Sequence, residues 1–194
     1  MLCSILVRPG GRPAEATGVT MALGVAAADA CATVAGVELG LKWPNDLIAV
    51  GVGLDGSDRK ISGLLAESVV SAGRVDAMVA GIGINVNWPD QLPIELAEIA
   101  TSLRHLAGHD VDRADLLVEL LRRFEHHLVS PDQLPAEYRS LSATLGRDVR
   151  VERAGGDVVG RAVDVAPDGA LVVEAASGDR TAVYVGDIVH LRHG

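Results

Sequence analysis

The sequence predicts a mixed α/β domain followed by a small all-β barrel. Three observations lead there. An alanine-rich stretch over residues 15–35 carries apolar residues at helical spacing, between short runs of strand length. Two longer apolar runs, 61–70 and 75–84, are joined by Ser71-Ala72-Gly73-Arg74 and read as a hairpin. From Gly146 onward the texture changes to five short Val-rich runs separated by Gly, Asp and Pro turns, the pattern of a small β-barrel.

Taken in order, residues 2–8 read as a strand stopped by Pro9-Gly10-Gly11. The 15–35 helix follows, its alanines suited to close packing on a sheet. Short strands at 39–43 and 47–50 flank Pro44, and 51–59 is a Gly/Asp turn before the hairpin. The small, mostly apolar residues of 78–84 suit a central strand. Residues 94–106 read as one helix. Residues 112–129 read as another, capped by Asp112, with Leu117, Leu121, Phe124 and Leu128 as its apolar stripe and Leu116 and Leu120 beside it. After a break at 131–135, 136–142 is a last short helix. The barrel strands fall at 147–152, 158–165, 170–175, 180–185 and 187–191. The domains divide as 1–145 and 146–194.

Composition narrows the function. A length of 194 residues suits one sizeable core plus a small module. The net charge of −9, with no basic stripe, argues against a DNA-binding role. Cys3 and Cys31 have no CxxC spacing and no neighbouring His, so free thiols are expected in a cytoplasmic protein. No apolar run reads as long enough to cross a membrane. His126 and His127 are adjacent on one helix and cannot face one metal; a solvent-side or edge position is expected. His105, His109, His190 and His193 show no ligand spacing. Ser4 and Ser62 have no Ser–His–acid context.

Three motifs carry the chemistry: Lys42-Trp43-Pro44-Asn45-Asp46, Lys60-Ile61-Ser62-Gly63-Leu64-Leu65-Ala66-Glu67, and Gly81-Ile82-Gly83-Ile84-Asn85-Val86-Asn87. Lys60 begins a strand after a polar turn, and Gly63 permits close approach of a ligand. Alone, Lys60 reads as an ordinary exposed lysine. Asn45 and Asp46 alone read as a backbone-satisfying turn. Gly81 and Gly83 leave a strand surface bare enough for a flat ligand. This Gly-x-Gly ends a strand and opens no helix, so it is no dinucleotide fingerprint.

In order and separation the three motifs resemble the biotin–protein ligase family of bacteria, across essentially all of residues 1–194. The resemblance implies a class II synthetase-like biotin/lipoate ligase fold with a C-terminal SH3-like barrel. It implies ATP-dependent formation of biotinyl-5'-adenylate, then transfer of biotin to a lysine of biotin carboxyl carrier protein or an acyl-CoA carboxylase carrier domain. Catalytic roles fall on Lys60 and Asp46, and biotin contacts on Lys60, Gly63 and Leu65. ATP contacts fall on Lys42, Asn45, Asn85 and Arg192. Asp46 is the expected Mg²⁺ ligand. Joining two anions requires fixed cations and donors aimed at the phosphate charge, which this set supplies. The family's GRGRxGR-type loop does not occur in the sequence. The expectation is a reading frame that starts upstream of Met1, with a degraded, non-catalytic copy as the alternative. Lipoate ligases share the fold superfamily but differ in their motifs.

Overall fold

In the first sheet all five strands run antiparallel, in the order β1-β5-β4-β3-β2. Its strands are β1 (Leu2–Val7), β2 (Gly40–Lys42), β3 (Asp46–Ala49), β4 (Arg59–Ser71) and β5 (Arg74–Ile84). The computed structural model describes residues 1–8, 16–71 and 74–191. The Pro9-Gly10-Gly11 stop, the hairpin tip at 72–73 and Arg192 lie outside the described residues.

Helix α1 (Ala16–Ala35) crosses one face of this sheet, as its alanines predict. Ala22, Ala26, Ala27 and Ala30 are fully buried. Gly24 lets the helix approach closely: a Cβ there would sit 3.3 Å from Leu41 Cδ2. A correction to the membrane reading arises here. Gly18–Ala35 is long and apolar enough by composition to span a bilayer, yet most of it is buried inside the fold. The helix is apolar all round because it is sandwiched between the sheet and a second helical layer.

That layer contains α4 (Arg113–Val129) and α5 (Leu134–Leu141). Asp112 caps α4 as expected, accepting from Ala114 N at 2.7 Å and Asp115 N at 3.1 Å. The buried face differs from the predicted stripe. Leu116, Leu120, Phe124 and His127 face inward, while Leu121 and Leu128 are 41% and 37% exposed. Two adjacent apolar rows satisfy the same period, and only packing on α1 chooses between them. His127 is therefore buried rather than solvent-side. Its Nδ1 lies 3.2 Å from Glu137 Oε2, and its Nε2 lies 3.9 Å from Asp29 Oδ2.

The single helix expected over 94–106 is two short ones, α2 (Ile94–Ala97) and α3 (Leu103–Ala107). Between them the chain extends and joins the sheet margin. Ala100 bridges Lys60, Lys60 N donates to Ile99 O at 2.9 Å, and Thr101 N donates to Lys60 O at 3.0 Å. Ser102 then accepts from His105 N and caps α3. Strand demand from β4 overrides local helix propensity here.

The last helix also begins earlier than 136: Pro135 sits in its first turn, where a missing N–H costs nothing. The C-terminal strands are β6 (Asp148–Glu152), β7 (Val158–Val165), β8 (Leu171–Glu174), β9 (Arg180–Val183) and β10 (Asp187–His190). They pair antiparallel in the order β10-β6-β7-β8-β9 around Val149, Val151, Ala162, Leu171 and Val173. Among the described residues no ladder closes β9 onto β10, so the expected barrel is an incompletely closed one.

Candidate active site

The face of the first sheet opposite α1 is open, and strand register decides what it displays. Leu2, Gly83, Gly63, Asp46 and Lys42 stand opposite one another across all five strands, in the sheet order β1-β5-β4-β3-β2. The next row is Ser4, Gly81 and Leu65. The centre of the face is thus bare glycine backbone. Leu2, Ser4 and Leu65 wall it on one side, and charged groups end it on the other. Leu2, Leu65, Gly63, Gly81 and Gly83 line a groove of about 410 Å³.

Lys60 reaches this face because of a bulge. Pairing of β3 with β4 shifts register between Leu47 and Ile48, so Ile48 opposes Lys60 while Leu47 opposes Ser62. Ile61 and Ser62 are consequently both buried, and Lys60 emerges on the side of Gly63. Bulges re-aim side chains in this way. The Lys60 Nζ lies 2.5 Å from Asp46 Oδ1, with the lysine side chain 48% exposed. Gly63 makes room for the pair: a Cβ there would stand 3.3 Å from Lys60 Nζ and 3.6 Å from Asp46 Oδ1. Lys60, Asp46, Gly63, Leu65 and Lys42 are therefore brought together.

The asparagines are committed differently. Asn45 Nδ2 donates to Leu64 O at 2.7 Å, and Leu64 N returns a bond to Asn45 O at 2.8 Å. Asn85 Nδ2 donates to Thr101 O at 3.0 Å, stitching the extended 99–101 segment beside Lys60. Asn87 exchanges two bonds with the Val111 backbone. These amides brace the backbone next to the motif residues. The Asp46 carboxylate, the expected Mg²⁺ ligand, is paired with Lys60, and no group of three or more His, Cys, Asp or Glu able to hold a metal by themselves occurs among the described residues. Mg²⁺ sites rely on carboxylates together with substrate phosphates.

Sequence reasoning missed a second set of residues, which ties this site to the C-terminal unit. Trp43 is buried; its Nε1 donates to Gly169 O at 3.0 Å and its N to Thr144 Oγ1 at 3.1 Å. Arg147 Nη1 donates to Asp58 Oδ2 at 2.6 Å and to His190 Nδ1 at 3.0 Å. Because guanidinium only donates, His190 Nδ1 accepts, and its Nε2–H faces Thr144 Oγ1 at 3.2 Å. No spacing in the sequence announces this set, since its members lie up to 147 residues apart (Trp43 to His190). The only sequence signal is Trp43 inside the Lys-Trp-Pro-Asn-Asp motif.

The His190–Asp58 pair carries a pH prediction. Burial, then the charges of Arg147 and Lys42, push His190 down to about 4, against partial opposition from Asp58. Burial pushes the Asp58 carboxyl up, but the Arg147 and Gly51 hydrogen bonds and the nearby cations hold it below its ordinary value. Both folded groups resist protonation more than their unfolded counterparts. Stability from His190 is complete above its unfolded value near 6.5 and is lost as pH falls toward 4. Asp58 adds a loss in the same direction at lower pH. Discounted for the water reaching the ring, the histidine contribution is on the order of 1–2 kcal/mol. Thermal melts between pH 7.5 and 4 should show a decline that His190→Gln flattens over pH 6.5–4. An unchanged slope in the variant would contradict the assignment.

Comparisons with known proteins bear on this arrangement. Residues 144–191 match the family model described as the biotin protein ligase C terminal domain. The chain is 39% identical to the biotin–[acetyl-CoA-carboxylase] ligase of Mycobacterium tuberculosis, over 99% of the chain and 70% of that protein. It is 31% identical to the bifunctional ligase/repressor BirA of Bacillus spizizenii, over 95% of the chain and 56% of that protein. The fold superposes on the biotin protein ligase of Aquifex aeolicus in complex with biotin and ATP with a TM-score of 0.81. That match has 25% identity and covers 98% of the chain and 78% of the other. The fold is that of a ligase. The chain belongs to the biotin protein ligase family.

Proposed function

We propose that this protein activates biotin with ATP and transfers the biotinyl group to a lysine of a carrier protein. The observation that carries this reading is the glycine-floored groove whose Gly63 stands in register with Asp46 and Lys42, with Lys60 paired to Asp46 beside it. A flat, largely apolar ring system fits bare backbone between Leu2 and Leu65, with its acid chain directed at Lys60. The acid's carboxylate oxygen attacks the α-phosphorus of ATP. A new O–P bond forms as the α–β bridge breaks, and pyrophosphate leaves. Lys60 holds the incoming carboxylate against its own negative charge and then faces the phosphoryl oxygens, where charge grows. Lys42 faces the departing phosphates. In the second step a carrier lysine amine attacks the acyl carbon and AMP leaves, with Asp46 placed to orient that amine.

Arg192 is proposed to add a further cation for the nucleotide, and Asn45 and Asn85 to shape its pocket. The carrier is taken to be biotin carboxyl carrier protein or the equivalent domain of an acyl-CoA carboxylase, and the site of action the cytoplasm. The test is pyrophosphate release from ATP, with biotin and carrier varied independently, alongside streptavidin detection of the carrier. The expected result is release that needs biotin, and labelling that needs all three. Release driven by lipoate in place of biotin would move the assignment to lipoate ligation. ATP binding with no release would favour a non-catalytic member.

A further inference from the structure

Lys42 and Lys60 are the only lysines in the sequence; every other Lys/Arg position is arginine. Both stand on the open sheet face, and both follow or precede segments gripped from outside their own sheet. Trp43, directly after Lys42, is held by Thr144 Oγ1 and Gly169 O. Asp58, two residues before Lys60, is held by Arg147 at 2.6 Å. The two grips meet on one ring, since His190 lies against both Thr144 and Arg147. Thr144 is fully buried, so its hydroxyl has no water to exchange with.

From this geometry we infer that Arg147, acting with Thr144 and His190, is a positioning residue that sets the spacing of Lys42 and Lys60 for a nucleotide polyphosphate. The inference rests on the ligase reading and deepens it. Lys42 ends the three-residue strand β2, and Lys60 follows the Gly/Asp turn over 51–58. Left to themselves, a short edge strand and a polar turn would let the two ammonium groups drift relative to each other. A preorganised pair of cations stabilises developing phosphate charge without reorganising during the reaction. Displacements near 1 Å cost up to roughly 100-fold in rate. The Asp58–Arg147 pair and the Trp43–Thr144 bond fix both segments to one turn, residues 144–147, which leads into β6; there Arg147 N donates to Thr144 O at 3.2 Å and Ala162 N to Arg147 O at 2.9 Å. Most biotin contacts, by contrast, lie on β1, β5 and the Gly63–Leu65 part of β4, which pair among themselves, and Lys60 is the one contact that biotin shares with the nucleotide.

The groups facing His190 are Arg147, Asp58, Lys42 and the Thr144 hydroxyl. Through them the ring completes the connection between the two grips. A purely structural interface would behave differently from a positioning one. Loss of a structural contact lowers the melting temperature and raises the KM values for ATP and biotin together. Loss of positioning selectively affects the substrate that meets the two lysines.

The experiment compares wild type, Arg147→Gln, Asp58→Asn and the double variant in two ways. Steady-state kinetics should show KM for ATP raised about tenfold in each single variant. KM for biotin should stay within about twofold, and the double variant should be no worse than either single one, because both remove one interaction. Competitive acetylation read by mass spectrometry reports only Lys42, Lys60 and the N-terminal amine, and it needs no catalysis. The Lys60:Lys42 reactivity ratio should change in Arg147→Gln without substrates. Unchanged ATP dependence with an unchanged ratio overturns the inference, as does a parallel rise in both KM values that tracks the melting temperature. If wild type releases no pyrophosphate, the ligase reading fails, and the acetylation ratio still decides whether Arg147 positions the lysines.

Discussion

Replacing Lys60 with alanine should abolish adenylate formation while leaving the fold intact. The ammonium is placed where carboxylate and α-phosphate must meet, and removing one such stabilising group costs about 100- to 1,000-fold in rate. The stability cost should be small. Lys60 is half exposed, and its partner Asp46, although mostly covered, retains some contact with water. Pairs of this kind contribute about 0–1 kcal/mol. Lys60→Arg should rescue only in part. The planar guanidinium is larger than the ammonium, and the pocket beside Gly63 already holds Lys60 Nζ within 3.3 Å of a virtual Cβ. Biotin-dependent pyrophosphate release measures the effect, with a chemical melt as the control for folding. Release near the wild-type rate in Lys60→Ala would remove this lysine from the mechanism.

Trp43→Ala should be the most damaging single change to stability. The indole is 3% exposed and packs where the Lys42–Asp46 turn meets the C-terminal unit. Truncating a buried tryptophan costs about 3–5 kcal/mol. The Gly169 carbonyl also loses its donor. Trp43→Phe separates the two contributions. It keeps most of the buried area and loses only the Nε1–H bond, at about 1–3 kcal/mol for an acceptor left unpaired. Urea unfolding midpoints provide the measurement, and Trp43 and Trp88 are the only indoles available to fluorescence. Because Trp43 adjoins Lys42, the phenylalanine variant should also weaken ATP use before it weakens biotin use. A Trp43→Ala protein with a wild-type midpoint would mean that the two units do not depend on this contact.

Much was determined by the sequence alone. Alternation and turn residues are local, so the 61–70/75–84 hairpin, the capped helix after Asp112 and the Val-rich C-terminal strands were legible from neighbours a few positions away. The identity of Lys42, Asp46, Lys60 and Gly63 as a group was legible because two of the three motifs carry them. Their geometry was not. Lys60 faces the groove only because a bulge between β3 and β4 inserts Ile61, and a one-residue change of register would bury the lysine instead. The break at Ala100 and the inward turn of His127 escaped the sequence for a related reason. In each case two local patterns were equally good, and a distant partner chose between them: β4 for residues 99–101, and α1 with α5 for His127. The grip of Arg147 on Asp58 lay furthest from view. An ion pair spanning 89 residues leaves no periodic trace, since side-chain charge is satisfied by proximity in space, and only the packed chain brings those two positions together.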